Sequence, residues 1–137
     1  MELGRNLAKT IVERTMPIIG NNINVMDCKG IILASGDSTR IGEIHDGAIL
    51  ALQHGETIEV TQASCETLKG ARPGINLVLH VDGKVVGVVG VTGEPEVIRT
   101  FAKLVKMTAE MMVEQAYVQE KTNWDRRHHE EFIAAWL

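Results

Sequence analysis

Two short arginine-led segments carry the residue types best suited to chemistry in this chain. The first is Arg40-Ile41-Gly42-Glu43-Ile44-His45, set between a polar loop and an apolar stripe at helical spacing. An arginine just ahead of a helix start offers an anion a bidentate guanidinium. Ile41, Gly42 and Glu43 would add unsatisfied backbone N–H groups. His45 adds a donor for a carboxylate or a hydroxyl. The second segment is Arg72-Pro73-Gly74-Ile75-Asn76. Pro73 fixes φ, Gly74 permits close backbone approach, and Asn76 supplies both a donor and an acceptor. Each segment also has a plainer reading. Arg40 can pair on the surface with Asp37, Glu43 or Asp46 beside an exposed His45, and Asn76 can satisfy its own backbone at a strand start. Taken together, the two segments suit a ligand with negative charge at each end. Arg40 and the Ile41–Glu43 amides would hold one end, Arg72 with the Gly74 and Ile75 amides the other. His45 and Asn76 would then read hydroxyls.

Other constellations carry less. Gly87, Gly90 and Gly93 form no phosphate-binding fingerprint, because no G-x-G-x-x-G precedes a helix within a βαβ unit. There is no G-x-S-x-G elbow and no evident Ser/His/Asp or Cys/His set. The run Asp125–Glu131 alternates charge as a solvated helix face does, and it is not read as a metal site. Cys28 and Cys65 have no ligand spacing and read as buried or half-buried free thiols in a reducing compartment. No cofactor and no metal is expected. A hydrolase or isomerase using His45 with Cys65 or Glu43 is an alternative, but a two-carboxylate site needs no catalysis, so the chain is not read as an enzyme.

The elements that must position these residues follow from pattern. Ile75–Val81 and Val85–Val91 are joined by Asp82-Gly83, a hairpin signal because both central turn residues need φ > 0. Residues 3–16 space Leu3, Leu7, Ile11, Val12 and Met16 as an amphipathic helix that Pro17 should end or bend. Ile23–Met26 and Ile31–Ala34 make a second hairpin around Cys28-Lys29-Gly30. Ile44–His54 is a short helix stopped by Gly55, Thr57–Val60 a short strand, and Thr61–Gly70 a polar, partly helical connection. After Pro95, apolar residues Val97, Phe101, Leu104, Val105, Met111, Met112 and Val118 recur at helical spacing to about Lys121. Glycines 90 and 93 would let the last strand lie close to a ligand near Thr92, and the helix that follows would carry the signal out. The fold class is α+β: a five-stranded antiparallel sheet with flanking helices on one face and long N- and C-terminal helices.

Composition bounds the setting. A chain of 137 residues with 45% hydrophobic content builds one domain with one core. Its net charge of -4 argues against a dedicated nucleic-acid surface. Charges at Glu2, Arg5 and Lys9 leave no signal-peptide core, and no apolar run approaches a membrane span. A cytoplasmic location without membrane contact is expected. Residues 1–121 are expected to form the sensor, and 122–137 to begin a connection to regions absent from this chain.

With these residues in view, the chain resembles the sugar-diacid recognition domain at the N-terminus of carbohydrate diacid regulators. The resemblance runs through Ile11–Met16, Asn22–Asp27, Ser35-Gly36-Asp37 with Arg40–Glu43 and His45, Gly74–Leu77, Gly87–Glu96 and Met107–Met112. It implies a PAS-like sensor of a bacterial transcription regulator, binding a small dicarboxylate, sugar diacid or hydroxy acid of the glucarate, galactarate or glycerate type. DNA would be bound only through a helix-turn-helix absent here. The strand pair ending in G-V-V-G-V is also similar to the extracytoplasmic PAS domains of citrate and C4-dicarboxylate sensor kinases. The two long amphipathic helices suggest a homodimer, and a dimerisation module without ligand is the remaining alternative.

Overall fold

A computed structural model describes residues 3–66 and 72–136; the side chain of Glu66 and those from 123 onward lie outside the description. Five antiparallel strands lie in the order β2-β1-β5-β4-β3. They are β1 (Ile23–Met26), β2 (Ile32–Ser35), β3 (Ile58–Val60), β4 (Gly74–Val81) and β5 (Lys84–Thr92). The central hairpin forms where its turn chemistry places it. Asp82 at φ 53° and Gly83 at φ 74° close β4 onto β5 with Val81 opposite Lys84. At the β1–β2 turn the Asp27 carboxylate accepts the N–H groups of Lys29 (2.8 Å) and Ile31 (3.1 Å). Cys28 in this turn is exposed and Cys65 half-buried, so burial does not protect the first thiol.

Helix α1 (Arg5–Ile19) continues through Pro17 and stops at Gly20, whose φ of 78° lets its N–H reach the Met16 carbonyl at 2.7 Å. The expected stop at Pro17 is therefore three residues early. A proline one turn from a helix end removes only the bond to the carbonyl of exposed Glu13, which water can serve. Helix α2 (Asp46–His54) ends at Gly55 in the left-handed region, as its sequence signals. Helix α3 (Pro95–Trp136) starts at the proline and runs on past Lys121, so the Asp125–Glu131 run is helical backbone whose side chains lie outside the description.

The helices do not share one face. Helices α1 and α3 pack on one side of the sheet and α2 on the other, because β5 and β4 are apolar on both faces. On the α1/α3 side Ile23, Val25, Leu77, Leu79, Val89 and Val91 meet Ile11, Val12, Ile98, Ala102 and Val105 in the main core. On the α2 side the apolar cluster is small: Met26, Ile32, Val88 and Ala48, with Leu52 against them. A polar row lies beside that cluster. Asn24 of β1, Gly90 of β5 and Asn76 of β4 stand opposite one another across three neighbouring strands.

The output helix also turns differently from its apolar pattern. The residues of α3 in the core are Ile98, Ala102, Val105, Ala109 and Val113. Val97, Phe101, Leu104 and Met111, counted in the expected stripe, stay exposed at 72%, 51%, 50% and 64%. Small alanines are what let the helix approach the sheet, and the bulkier residues face away from it.

Candidate ligand-binding site

The polar row is the floor of a cleft between the sheet and the start of α2. Asn24, Gly90 and Asn76 lie at its base, Gly74 and Ile75 of β4 with Val91 and Thr92 of β5 at one end, and Arg40, His45, Arg72 and Pro73 around it. Six of the nine residues expected from sequence thus meet: Arg40, His45, Arg72, Gly74, Ile75 and Asn76. They come from the two arginine-led segments, 40–45 and 72–76.

Arg40 is delivered by a single 3-10 turn, Ser38–Arg40, capped by Asp37 through the Thr39 N–H. The turn buries the arginine to 9% exposure. Bonds from Thr39, side chain and backbone, hold the Asp37 carboxyl below its ordinary range. Ile41, Gly42 and Glu43 do not join the cleft. All three are exposed, and their N–H groups are taken by the carbonyls of Ser38 (3.4 Å), Ile32 (2.8 Å) and Arg40 (3.1 Å). The segment that looked like a helix start is a bonded loop, so its amides hold the loop rather than face the cleft. Gly74 and Ile75 line the cleft from inside the ladder, paired with Val60 and Glu59 of β3 and with Thr92 and Val91 of β5. Their backbone groups serve the sheet; their contribution is the shape of the wall, since a Cβ on Gly74 would stand 2.5 Å from the Val91 carbonyl oxygen.

His45 is the N-cap of α2, not an exposed first-turn side chain. Its Nδ1 accepts the Ala48 N–H at 3.1 Å, which leaves the other ring nitrogen as a donor. Burial, reinforced by the nearby Arg40 charge and opposed by Asp46, holds its pKa down to about 4 from 6.5. The imidazole is therefore neutral near pH 7. Asn76 is 3% exposed and stands between two glycines: a Cβ on Gly47 would lie 2.5 Å from its Nδ2, and one on Gly90 2.8 Å from its Oδ1. Its Oδ1 is the buried side-chain polar atom left without a hydrogen-bond partner among the described residues.

Asn24 and Val91 complete the cleft without appearing among the residues expected near a ligand, while Gly90 and Thr92 line it where the sequence places the last strand close to one. A polar residue inside the fully buried strand Ile23–Met26 was the available signal for Asn24. Its Oδ1 accepts from Ser35 Oγ (2.5 Å) and Asn22 Nδ2 (3.2 Å). The free space at the centre of the cleft is about 10 Å³, room for about one water molecule. Among the described residues no group of three or more His, Cys, Asp or Glu side chains could hold a metal, and no helix is long and apolar enough to cross a membrane.

This cleft sits in a chain whose residues 3–136 match the family described as "Putative sugar diacid recognition". The chain belongs to that family. It is 49% identical over 131 residues to the carbohydrate diacid regulator of Escherichia coli, covering 96% of this chain and 34% of that protein. It is also 49% identical over 138 residues to an uncharacterized protein of Haemophilus influenzae, covering 100% of this chain and 38% of the other. The chain thus spans little more than a third of the length of these family members. Among solved structures the sheet and helices are similar to GAF domains. The blue-light-absorbing form of the Thermosynechococcus elongatus PixJ GAF domain gives a TM-score of 0.62 at 14% identity, over 91% of this chain and 93% of that one. The GAF domain of an Acinetobacter phosphoenolpyruvate-protein phosphotransferase gives 0.60 at 12% identity, over 85% and 86%. At such identities the likeness concerns the fold, which is PAS-like, and not what is bound.

Proposed function

We propose that this family member is the ligand-sensing domain of a cytoplasmic transcription regulator, binding a small sugar diacid or hydroxy acid of the glucarate, galactarate or glycerate type. One observation carries the reading: Arg40 and Arg72, from segments far apart in sequence, line the same cleft as His45 and Asn76. Arg40 holds one carboxylate and Arg72 the other end of the ligand, while His45 and Asn76 meet its hydroxyls. Ile41, Gly42 and Glu43 act by holding the loop that carries Arg40, and Gly74 and Ile75 by shaping the wall. The domain senses rather than catalyses, and contact with DNA belongs to regions beyond this chain. Residues 1–121 are the sensor, and 122–137 begin the connection onward.

The exposed stripe of Val97, Phe101, Leu104, Met111 and Val118 along α3 supports self-association as a homodimer. Binding then shifts an equilibrium between two arrangements of the terminal helices. Thermal denaturation with galactarate, glucarate or glycerate tests the reading. A sensor is stabilised by at least one of them and leaves it unconsumed. No stabilisation by any of the three refutes ligand sensing of this type, and turnover would make the chain an enzyme. Spin labels at Val118 in the two copies should change their separation when a stabilising acid is added; an unchanged separation removes α3 as the output.

A further inference from the structure

We propose that Asn76 makes the site selective for the alcohol form of its ligand, so that a hydroxy acid binds and the corresponding oxo acid or unsubstituted acid does not. The inference rests on the sensing role assigned above and concerns one atom within that site.

The polar groups facing the cleft are almost all donors. Arg40 and Arg72 can only donate. His45 spends its Nδ1 on the Ala48 N–H, so the ring offers a donor and no acceptor. The Asn24 Oδ1 takes two hydrogen bonds, from Ser35 and Asn22. The Pro73 carbonyl accepts from Gly93 at 2.8 Å, and the Thr92 carbonyl from Asn21 at 2.9 Å. The Thr92 hydroxyl, half-buried, can turn to give or to take. Against this background the unpartnered, buried Asn76 Oδ1 is a fixed acceptor.

The amide lies against Gly47 of α2 and Gly90 of β5, where an added Cβ would meet its Nδ2 at 2.5 Å and its Oδ1 at 2.8 Å. A buried acceptor with no partner from the protein is matched by a donor that enters the cleft. A carboxylate brings none at neutral pH, and an oxo group brings a second acceptor against the first. An O–H group supplies the missing hydrogen. Sites built to hydrogen-bond a hydroxyl reject analogues that lack it more strongly than apolar pockets reject a changed methylene. The donors around it, meanwhile, serve any carboxylate alike. The arginines therefore set charge and Asn76 sets the oxidation state at the ligand carbon.

Two ligand pairs of matched length and charge test this by titration calorimetry on the whole chain: galactarate against adipate, and 2-hydroxyglutarate against 2-oxoglutarate. The hydroxylated member of each pair should bind at least tenfold more tightly. In Asn76→Leu that preference should shrink to within about threefold, by loss of affinity for the hydroxy acids. Should Asn76→Leu fail to fold, Gly90→Ala, which crowds Oδ1, should narrow the same ratios. Equal affinities within either pair in the unaltered protein overturn the selectivity while leaving the anion site standing. Preference that survives a folded Asn76→Leu assigns it to another group and overturns the role of Asn76. Absence of heat with all four acids refutes the sensing role itself, and the selectivity with it.

Discussion

Gly93 donates its backbone N–H to the carbonyl of Pro73 at 2.8 Å. This bond ties the loop that carries Arg72 into the cleft to the last residue but one before α3 begins. Gly93 has φ 147°, and a Cβ there would stand 2.9 Å from Ile98 Cγ2 and 3.0 Å from Asn21 Nδ2. Both the backbone conformation and the space demand glycine. Gly93→Ala should destabilise the domain by about 1–3 kcal/mol, read as a lower urea midpoint with an unchanged slope. A midpoint equal to that of the unaltered protein would show that the start of α3 tolerates a shift and that the tie is slack.

Arg40→Ala should weaken binding of a stabilising diacid by about 1.5–3 kcal/mol, the range for a hydrogen bond to a charged group. Arg40→Lys should restore part of the loss, since an ammonium cannot form the bidentate fork. Circular dichroism should show the fold intact in both, and equal calorimetric affinities for Arg40→Ala and the unaltered protein would remove this residue from the site.

The pH dependence of stability isolates His45. Its pKa is held down to about 4 in the fold against an ordinary 6.5, so the unfolded chain binds the proton first as pH falls. The contribution is full above pH 6.5, declines from there to about pH 4 and is flat below. A shift of that size corresponds to about 3 kcal/mol. His45→Asn keeps an N-cap acceptor without titrating. The gap in unfolding free energy between unaltered protein and variant should therefore move in favour of the variant between pH 7 and pH 4.5. Parallel pH profiles would place the ring in water.

Self-association is tested on the outward stripe of α3. Phe101→Glu and Met111→Glu change residues that are 51% and 64% exposed, so the fold should persist while light scattering falls from two chains to one at micromolar concentration. A single-chain mass before any substitution would rule out this face as the homodimer contact under those conditions.

What could be read from residue order was whatever neighbours in sequence decide. Asp82-Gly83 fixed its own hairpin, Gly55 its own helix stop, and the two arginine-led segments announced themselves. The site floor could not be read that way. Asn24 and Gly90 stand together because β1 pairs with β5, across 66 positions of chain, and nothing local in INVM or GVVGV states that pairing. The face of α3 was misread for a related reason. Apolar residues lie on two of its sides, and the side packed on the sheet is the one with Ala102 and Ala109, whose small side chains let the backbone come close. His45 was placed inside the helix it actually caps, since a histidine is a less common cap than the Ser, Thr, Asp or Asn that the eye seeks.

The unequal thickness of the two apolar layers gives the molecule a soft side. Helix α2 rests on a cluster of four buried residues, whereas α1 and α3 share one of nineteen. Opening free energies follow buried apolar contact, so α2 should lift and reseat many times while the opposite face stays closed. With room for about one water at rest, a cleft that binds the proposed ligand should admit it through such excursions. Its amides should exchange with solvent early in α2 and late in β5, and an occupied cleft should erase that contrast by fastening the helix from beneath.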